Sequence, residues 1–269
     1  MTVRSHNKSN IETDTTMNNI GNSSISSSKK QLIKHTLMLA LLGTLLAAGP
    51  VPASAHPREV IPFTDARIRI EVNATDGDSG LHVLLDAEGW KFVNIFDPRG
   101  KLIFHVEGGG SVRKTGLTEL FFESAEPGFE ELPLADFLKR FPAGNYRFTG
   151  ETITGKKLLS VAKLTHALPE GPVLLLPEEG ATVDPNNTLL RWEPVPDPAG
   201  SRIVRYEVLV VEDGTVPKRV LSATVPAAAT SMVVPPTFLV PNSSYKWEIL
   251  AIEEGGNQTL SEGTFLVGP

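Results

Sequence analysis

The chain has 269 residues, 41% hydrophobic and 21% charged, with 25 Lys+Arg against 31 Asp+Glu. That is ordinary globular composition, enough for one large domain or two small ones. It contains no cysteine, which excludes disulfides, thiolate metal sites, a cysteine nucleophile and a lipid anchor on an N-terminal cysteine.

Residues 1–28 are rich in Ser, Asn and Thr, a composition that cannot bury a core. Lys29, Lys30 and Lys34 follow, then the uncharged apolar run Leu37–Ala48, then Ala53-Ser54-Ala55 just before His56. These are the three parts of a secretory signal in order, with Met17 as an alternative start to Met1. The sequence predicts a signal segment within 1–55, cleavage near Ala55/His56, and a secreted or periplasmic protein. The alternative is an inner-membrane anchor through uncleaved residues 36–55. Its apolar core is shorter than the ~20 residues a spanning helix needs, and Pro50 and Pro52 break it. Residues 1–55 carry five basic and two acidic side chains, which leaves 20 basic and 29 acidic beyond them, a net charge of −9. Such a surface disfavours nucleic acid and anionic membrane as partners.

In 56–169, Ile68, Ile70 and Val72 alternate and predict a half-solvated strand over 66–72. Asn73 to Gly80 reads as a polar turn. Strands are expected at 81–86 and 90–97, separated by a turn at Glu88-Gly89. Asp97-Pro98-Arg99-Gly100 fits a β-turn leading to a strand at 101–106. Gly108-Gly109-Gly110 reads as a flexible turn, 117–123 as a strand and 124–133 as an acidic loop. Leu134, Phe137, Leu138 and Phe141 stand at i, i+3, i+4 and i+7, a short amphipathic helix between Pro133 and Pro142. Two further strands, 146–149 and 157–164, complete about seven, which suggests a β-sandwich with one helix.

Pro169-Glu170-Gly171-Pro172 is the expected boundary, short and semi-rigid. A second strand pattern fills 170–269. Leu190 and Trp192 share a face, and so do Tyr206, Val208 and Val210. Strands follow at 219–225, 231–234, from Tyr245, and at 264–267. The order of Trp192, Tyr206, the corner Leu239-x-Pro241-x-x-x-Tyr245 and the strand Lys246-Trp247-Glu248-Ile249 resembles a fibronectin type III domain over about residues 171–269. The resemblance implies a seven-stranded sandwich used for adhesion, spacing or ligand display. It makes Trp192, Tyr206, Leu239, Pro241 and Tyr245 a structural pin and not a binding site. No Arg-Gly-Asp tripeptide is present. The whole is therefore expected to be all-β, two sandwich domains behind a signal peptide.

Three features bear on chemistry. Asn73, Asp76 and Asp78 on a glycine-containing loop offer oxygen ligands to calcium, while the same residues also suit a plain hairpin turn. Trp90 offers a platform for stacking on a glycan, or belongs to the core. Glu119, Glu123, Glu126, Glu130, Glu131 and Asp136 form an acidic stretch that reads as solvated surface, or as a source of hydrolase carboxylates. His56, His82, His105 and His166 show no metal-ligand spacing. No Gly-x-Ser-x-Gly elbow or phosphate-binding loop is present. The expectation is a non-enzymatic binding or scaffolding protein of the bacterial envelope or extracellular space, with protein or polysaccharide partners. The alternative is a carbohydrate-binding accessory protein or minor hydrolase, its site in the first domain.

Overall fold

The structure is a computed structural model that describes residues 58–269. The signal segment, its cleavage point and the alternative start lie outside the described residues.

In the first half, the alternation at Ile68, Ile70 and Val72 becomes β2 (Asp65–Asn73), preceded by the two-residue β1 (Val60–Ile61). A hairpin at 73–78 returns the chain into β3 (Asp78–Phe96). The two strands expected at 81–86 and 90–97 are thus one 19-residue strand. Its register shifts between Asp86 and Trp90, so Glu88-Gly89 marks a bend and not a reversal. Before the bend, β3 lies between β2 and β5 (Leu117–Glu123). After it, β3 lies between β4 (Leu102–Glu107) and β6 (Gly144–Thr152), with β7 (Lys157–Leu164) beyond β6 and β1 parallel to β7. One bent strand therefore serves both layers of the sandwich. Ile70, Leu85, Trp90, Ile95, Tyr146 and Phe148 fill the space between.

The expected helix is α2 (Leu134–Arg140), which buries Phe137 against this core. A second helix corrects the reading of the triple glycine as a simple turn. Gly110 opens α1 (Gly110–Thr115), and α1 stops at Gly116, whose φ of +87° suits glycine. Gly116 packs on Gly89, where a Cβ would stand 3.0 Å from backbone atoms.

The second half has two sheets. One is β8 (Leu174–Leu176), β10 (Leu189–Trp192) and β13 (Ser231–Val233), in the order β13-β10-β8. The other contains β9 (Ala181–Val183), β11 (Ile203–Glu212), β12 (Lys218–Pro226), β14 (Ser244–Glu253) and β15 (Gln258–Val267). Its order is β9-β15-β14-β11-β12. Trp192, Tyr206, Tyr245, Trp247 and Phe265 pack between the sheets. β15 starts at Gln258, six residues earlier than the expected strand at 264–267.

Those extra residues join the halves. Gln258, Thr259 and Leu260 pair in parallel with Glu71, Val72 and Asn73 of β2, so one sheet runs from β1 to β12. Asn257 reinforces the join. Its Oδ1 accepts from the Ile70 N–H at 2.9 Å, and its Nδ2 donates to Thr165 Oγ1 at 2.8 Å and to the Ala167 carbonyl at 3.3 Å. Thr259 Oγ1 donates to the Pro169 carbonyl at 2.8 Å, which ties the connecting segment to β15.

Candidate functional site

The strands that turn Ile70, Val83 and Phe122 toward the core present different residues on their other side. β2 presents Arg69 and Glu71 there, β3 His82, and β5 Phe121 and Glu123, as strand alternation requires. Register brings them together. His82 lies directly opposite Glu123 on one side and Arg69 on the other. Glu71 lies opposite Gly80 within the hairpin and Gln258 across the join. The result is a groove of about 290 Å³, with Glu71, His82 and Glu123 at one end and Glu207, Arg219 and Glu248 of the second half at the other.

Glu126 reaches this place from the loop after β5. Ser124 fixes that loop by exchanging bonds with Leu81: its N–H donates to the Leu81 carbonyl, and its Oγ accepts from the Leu81 N–H, both at 2.9 Å. The Glu126 carboxyl then lies over Gly80, where a Cβ would stand 2.9 Å from its Oε1. Only a residue without a side chain leaves that space.

His82 Nε2 is 3.0 Å from Glu123 Oε1 and 3.7 Å from Glu71 Oε1. His82 is 6% exposed and its ring sits edge-on to Phe121. Gln258 is 3% exposed. Its Nε2 donates to Glu71 Oε2, and its Oε1 is buried without a partner. Burial pushes the Glu71 carboxyl above its ordinary range, against the opposing pull of His82 and of the Gln258 amide. Burial also raises Asp78, helped by the charges of Asp76, Glu262 and Glu123. Glu126 is pushed up to about 8, by burial first and then by its hydrogen bond to Glu123 and the nearby carboxylates.

The residues singled out from sequence fall in several places. Asn73 and Asp76 meet at the hairpin tip, with Asn73 Nδ2 donating to Asp76 Oδ2 at 3.1 Å. Asn73 Oδ1 accepts the N–H groups of Thr75 and Asp76, so the turn is closed by its own bonds. Asp78 stands opposite Asn73 as the first residue of β3. Trp90 is fully buried, which corrects its reading as a ligand platform: no face of the ring is open to a sugar. Of the acidic stretch, Glu123 and Glu126 converge, whereas Glu119 stands opposite Asp86 further along β5. His105 contacts Asn94 Oδ1 at 2.7 Å, and His166 donates to the Phe141 carbonyl at 2.9 Å. Sequence reasoning missed Glu71 and His82 as partners of this pair. The signal was the hairpin itself, because closing it at 73–78 sets Glu71 diagonal to His82.

The second half holds a different kind of arrangement. Tyr245 Oη accepts from the Val240 N–H at 2.8 Å, next to the buried Leu239. Pro241 is exposed at the corner. Tyr206 Oη accepts from the Val195 N–H at 2.8 Å, and its ring packs edge-on against Trp192. This is a two-sheet sandwich pinned by a tyrosine corner.

Residues 179–266 match the family described as Fibronectin type III domain, and the C-terminal part of the chain is a fibronectin type III domain. No curated protein matches the chain. Among solved structures it is similar to the FN1-FN3 domains of chicken CNTN1. That likeness has 12% identity and a TM-score of 0.33, over 79% of this chain and 66% of that one. It is also similar to a two fibronectin type III domain segment from chicken tenascin, at 16% identity and a TM-score of 0.27, over 75% of this chain and 97% of that one.

Proposed function

We propose that this is an exported, non-enzymatic binding or scaffolding protein of the bacterial envelope or extracellular space. Its partner is a protein or polysaccharide. The observation that carries this reading is the join of β2 to β15. A fibronectin type III domain is often a binding or scaffolding module, and here its sheet continues into a second sandwich, which suits a rigid spacer with a displayed face. The basic, apolar and small-residue segments of 29–55 support export. The hydrolase alternative lacks comparable support. A glycosidase holds two carboxylates apart across a gap for the substrate, whereas the Glu123 and Glu126 carboxyls converge with Glu71 and His82 on one spot.

Cell fractionation combined with N-terminal sequencing tests the location: mature protein beginning near His56 in periplasm or medium is expected, and full-length protein held in the membrane would overturn it. Binding to purified envelope polysaccharides and to cross-linked envelope extract tests the role. Saturable binding without chemical change of the partner is expected. Turnover of a glycan that is lost on Glu123→Gln would replace this reading with the hydrolase one.

A further inference from the structure

We propose that Glu71, His82, Glu123 and Glu126 form a binding site for one divalent transition-metal cation of the Zn²⁺ type. The His82 imidazole nitrogen and one carboxylate oxygen from each glutamate lie within 4.8 Å of one another. Zinc bonds to nitrogen and oxygen are about 2.0–2.2 Å, so modest side-chain rotation would draw these four atoms around a single ion. One imidazole with three carboxylates is a donor set for Zn²⁺ and its first-row neighbours. Calcium instead takes six to eight oxygens.

The carboxylates are backed by a buried amide. Gln258, buried and contributed by the other half of the molecule, donates its amide to Glu71 Oε2. That leaves Glu71 Oε1, which faces His82 Nε2, for the ion. Ligating carboxylates are commonly fixed by such a hydrogen bond from an outer residue. The same Gln258 keeps its Oε1 buried at this spot with no partner. A buried carbonyl oxygen without a donor is costly, and a bound cation or its water would supply the missing partner.

Charge favours the same occupant. Glu71, Glu123, Glu207 and Glu248 line the groove with Arg69 and Arg219, Lys246 pairs with Glu248 at 3.1 Å, and Glu126 adds a fifth carboxyl, so carboxylates still outnumber cations. Glu123 and Glu126 are exposed, which gives an ion a route in, while His82 forms the closed inner end. Gly80 leaves open the space over which the Glu126 carboxyl lies.

Calorimetric titration of the purified protein with ZnCl₂, after treatment with chelator, tests the assignment. One ion per chain is expected, with a Kd below about 10 µM and a melting midpoint raised by several degrees at saturation. Glu123→Gln and Glu126→Gln alter exposed side chains, and each is expected to weaken binding at least tenfold. Asp76→Asn, at the hairpin tip, should leave it unchanged. His82→Gln, checked for folding by circular dichroism, should abolish it. Co²⁺ in place of Zn²⁺ should give visible absorption bands that are lost in Glu123→Gln. The proposal falls if millimolar Zn²⁺ gives no saturable heat, or if the binding survives both glutamate substitutions. Preferential binding of Ca²⁺ would also overturn it, since that would remove the imidazole from the site.

Discussion

Pro241 and Tyr245 stand four residues apart, and so do Pro142 and Tyr146. Both tyrosines are fully buried at the start of a strand, but their hydroxyls act in opposite senses. Tyr245 Oη accepts from the Val240 N–H at 2.8 Å, whereas Tyr146 Oη donates to the Pro142 carbonyl at 3.0 Å. Burial raises the pKa of both, and Tyr146, also facing the Asp97 charge, is pushed up to about 12. Removing a hydroxyl that satisfies a partly buried N–H leaves the donor without its partner, which costs about 1 kcal/mol. A carbonyl retains a second lone pair and tolerates the loss better. Urea denaturation should therefore find Tyr245→Phe more destabilised than Tyr146→Phe, and the reverse order would contradict this account. Asp97 gives a pH-dependent counterpart. Burial alone would raise its carboxyl. The Lys101 N–H at 2.8 Å, together with the Arg99 side chain and N–H, outweighs that and holds it below its ordinary value. A carboxyl lowered on folding contributes stability above its unfolded pKa, near 4, and loses it as pH falls through the folded value. Asp97→Asn should cost about 1–3 kcal/mol at pH 7, and the gap to the unsubstituted protein should close below about pH 4. A gap that is constant from pH 7 to pH 3 would exclude this role.

At the scale of elements, the strands were readable wherever one face is buried and the other is wet. Ile68, Ile70 and Val72 announce β2, and Tyr245, Trp247 and Ile249 announce β14, because alternation is a direct image of a half-buried pleat. The bend in β3 was not readable. Glu88-Gly89 carries the composition of a turn, and only packing against Gly116 and pairing on both sides make it a continuous strand. The start of β15 was hidden for a related reason. Asn257, Gln258 and Thr259 are polar yet buried, since their partners come from residues nearly two hundred positions away or from the connecting segment. That is also why half of the acidic pocket escaped notice. Glu123 and Glu126 show as charge in the sequence, but Glu71 and His82 reach them only through register. Asn257 is the test of the join. Asn257→Ala leaves the Ile70 N–H without its acceptor and frees Thr165 and Ala167. It should destabilise the protein by about 1–3 kcal/mol, and amide exchange at Ile70 should accelerate while that at Val208, deep in β11, changes only with global stability. Equal acceleration at both positions would mean that Asn257 acts on the whole fold and not on the join.

For the molecule as a whole, the question is whether two apolar cores behave as one. The cores are separate, one around Trp90 and Phe148 and the other around Trp192 and Trp247. Leu209, Leu250, Ile252 and Leu260 form a third, smaller cluster on strands of the second half. Parallel pairing at the join involves only three residue pairs, too few to couple the halves by sheet bonds alone. The added ties are polar: Asn257 to Ile70 and the connecting segment, Gln258 to Glu71 and Thr259 to Pro169 are buried, while the Glu262 N–H donates to the exposed Thr75 Oγ1 at 2.9 Å. Each buried tie is exchanged for water if one half unfolds beside a folded other, and each hydrogen bond so lost is worth about 0.5–1.5 kcal/mol net, more for the one to the Glu71 carboxylate. The three buried ties together come to a few kcal/mol, a sizeable part of the ~5–15 kcal/mol stability of a typical domain, so the half with the lower intrinsic stability gains appreciable resistance from the join. Scanning calorimetry should accordingly show one transition whose van't Hoff and calorimetric enthalpies agree. Asn257→Ala combined with Thr259→Val should split it in two, or make the calorimetric enthalpy exceed the van't Hoff value. Two resolved transitions in the unsubstituted protein would mean that the ties at β2 and β15 orient the halves without coupling their stability.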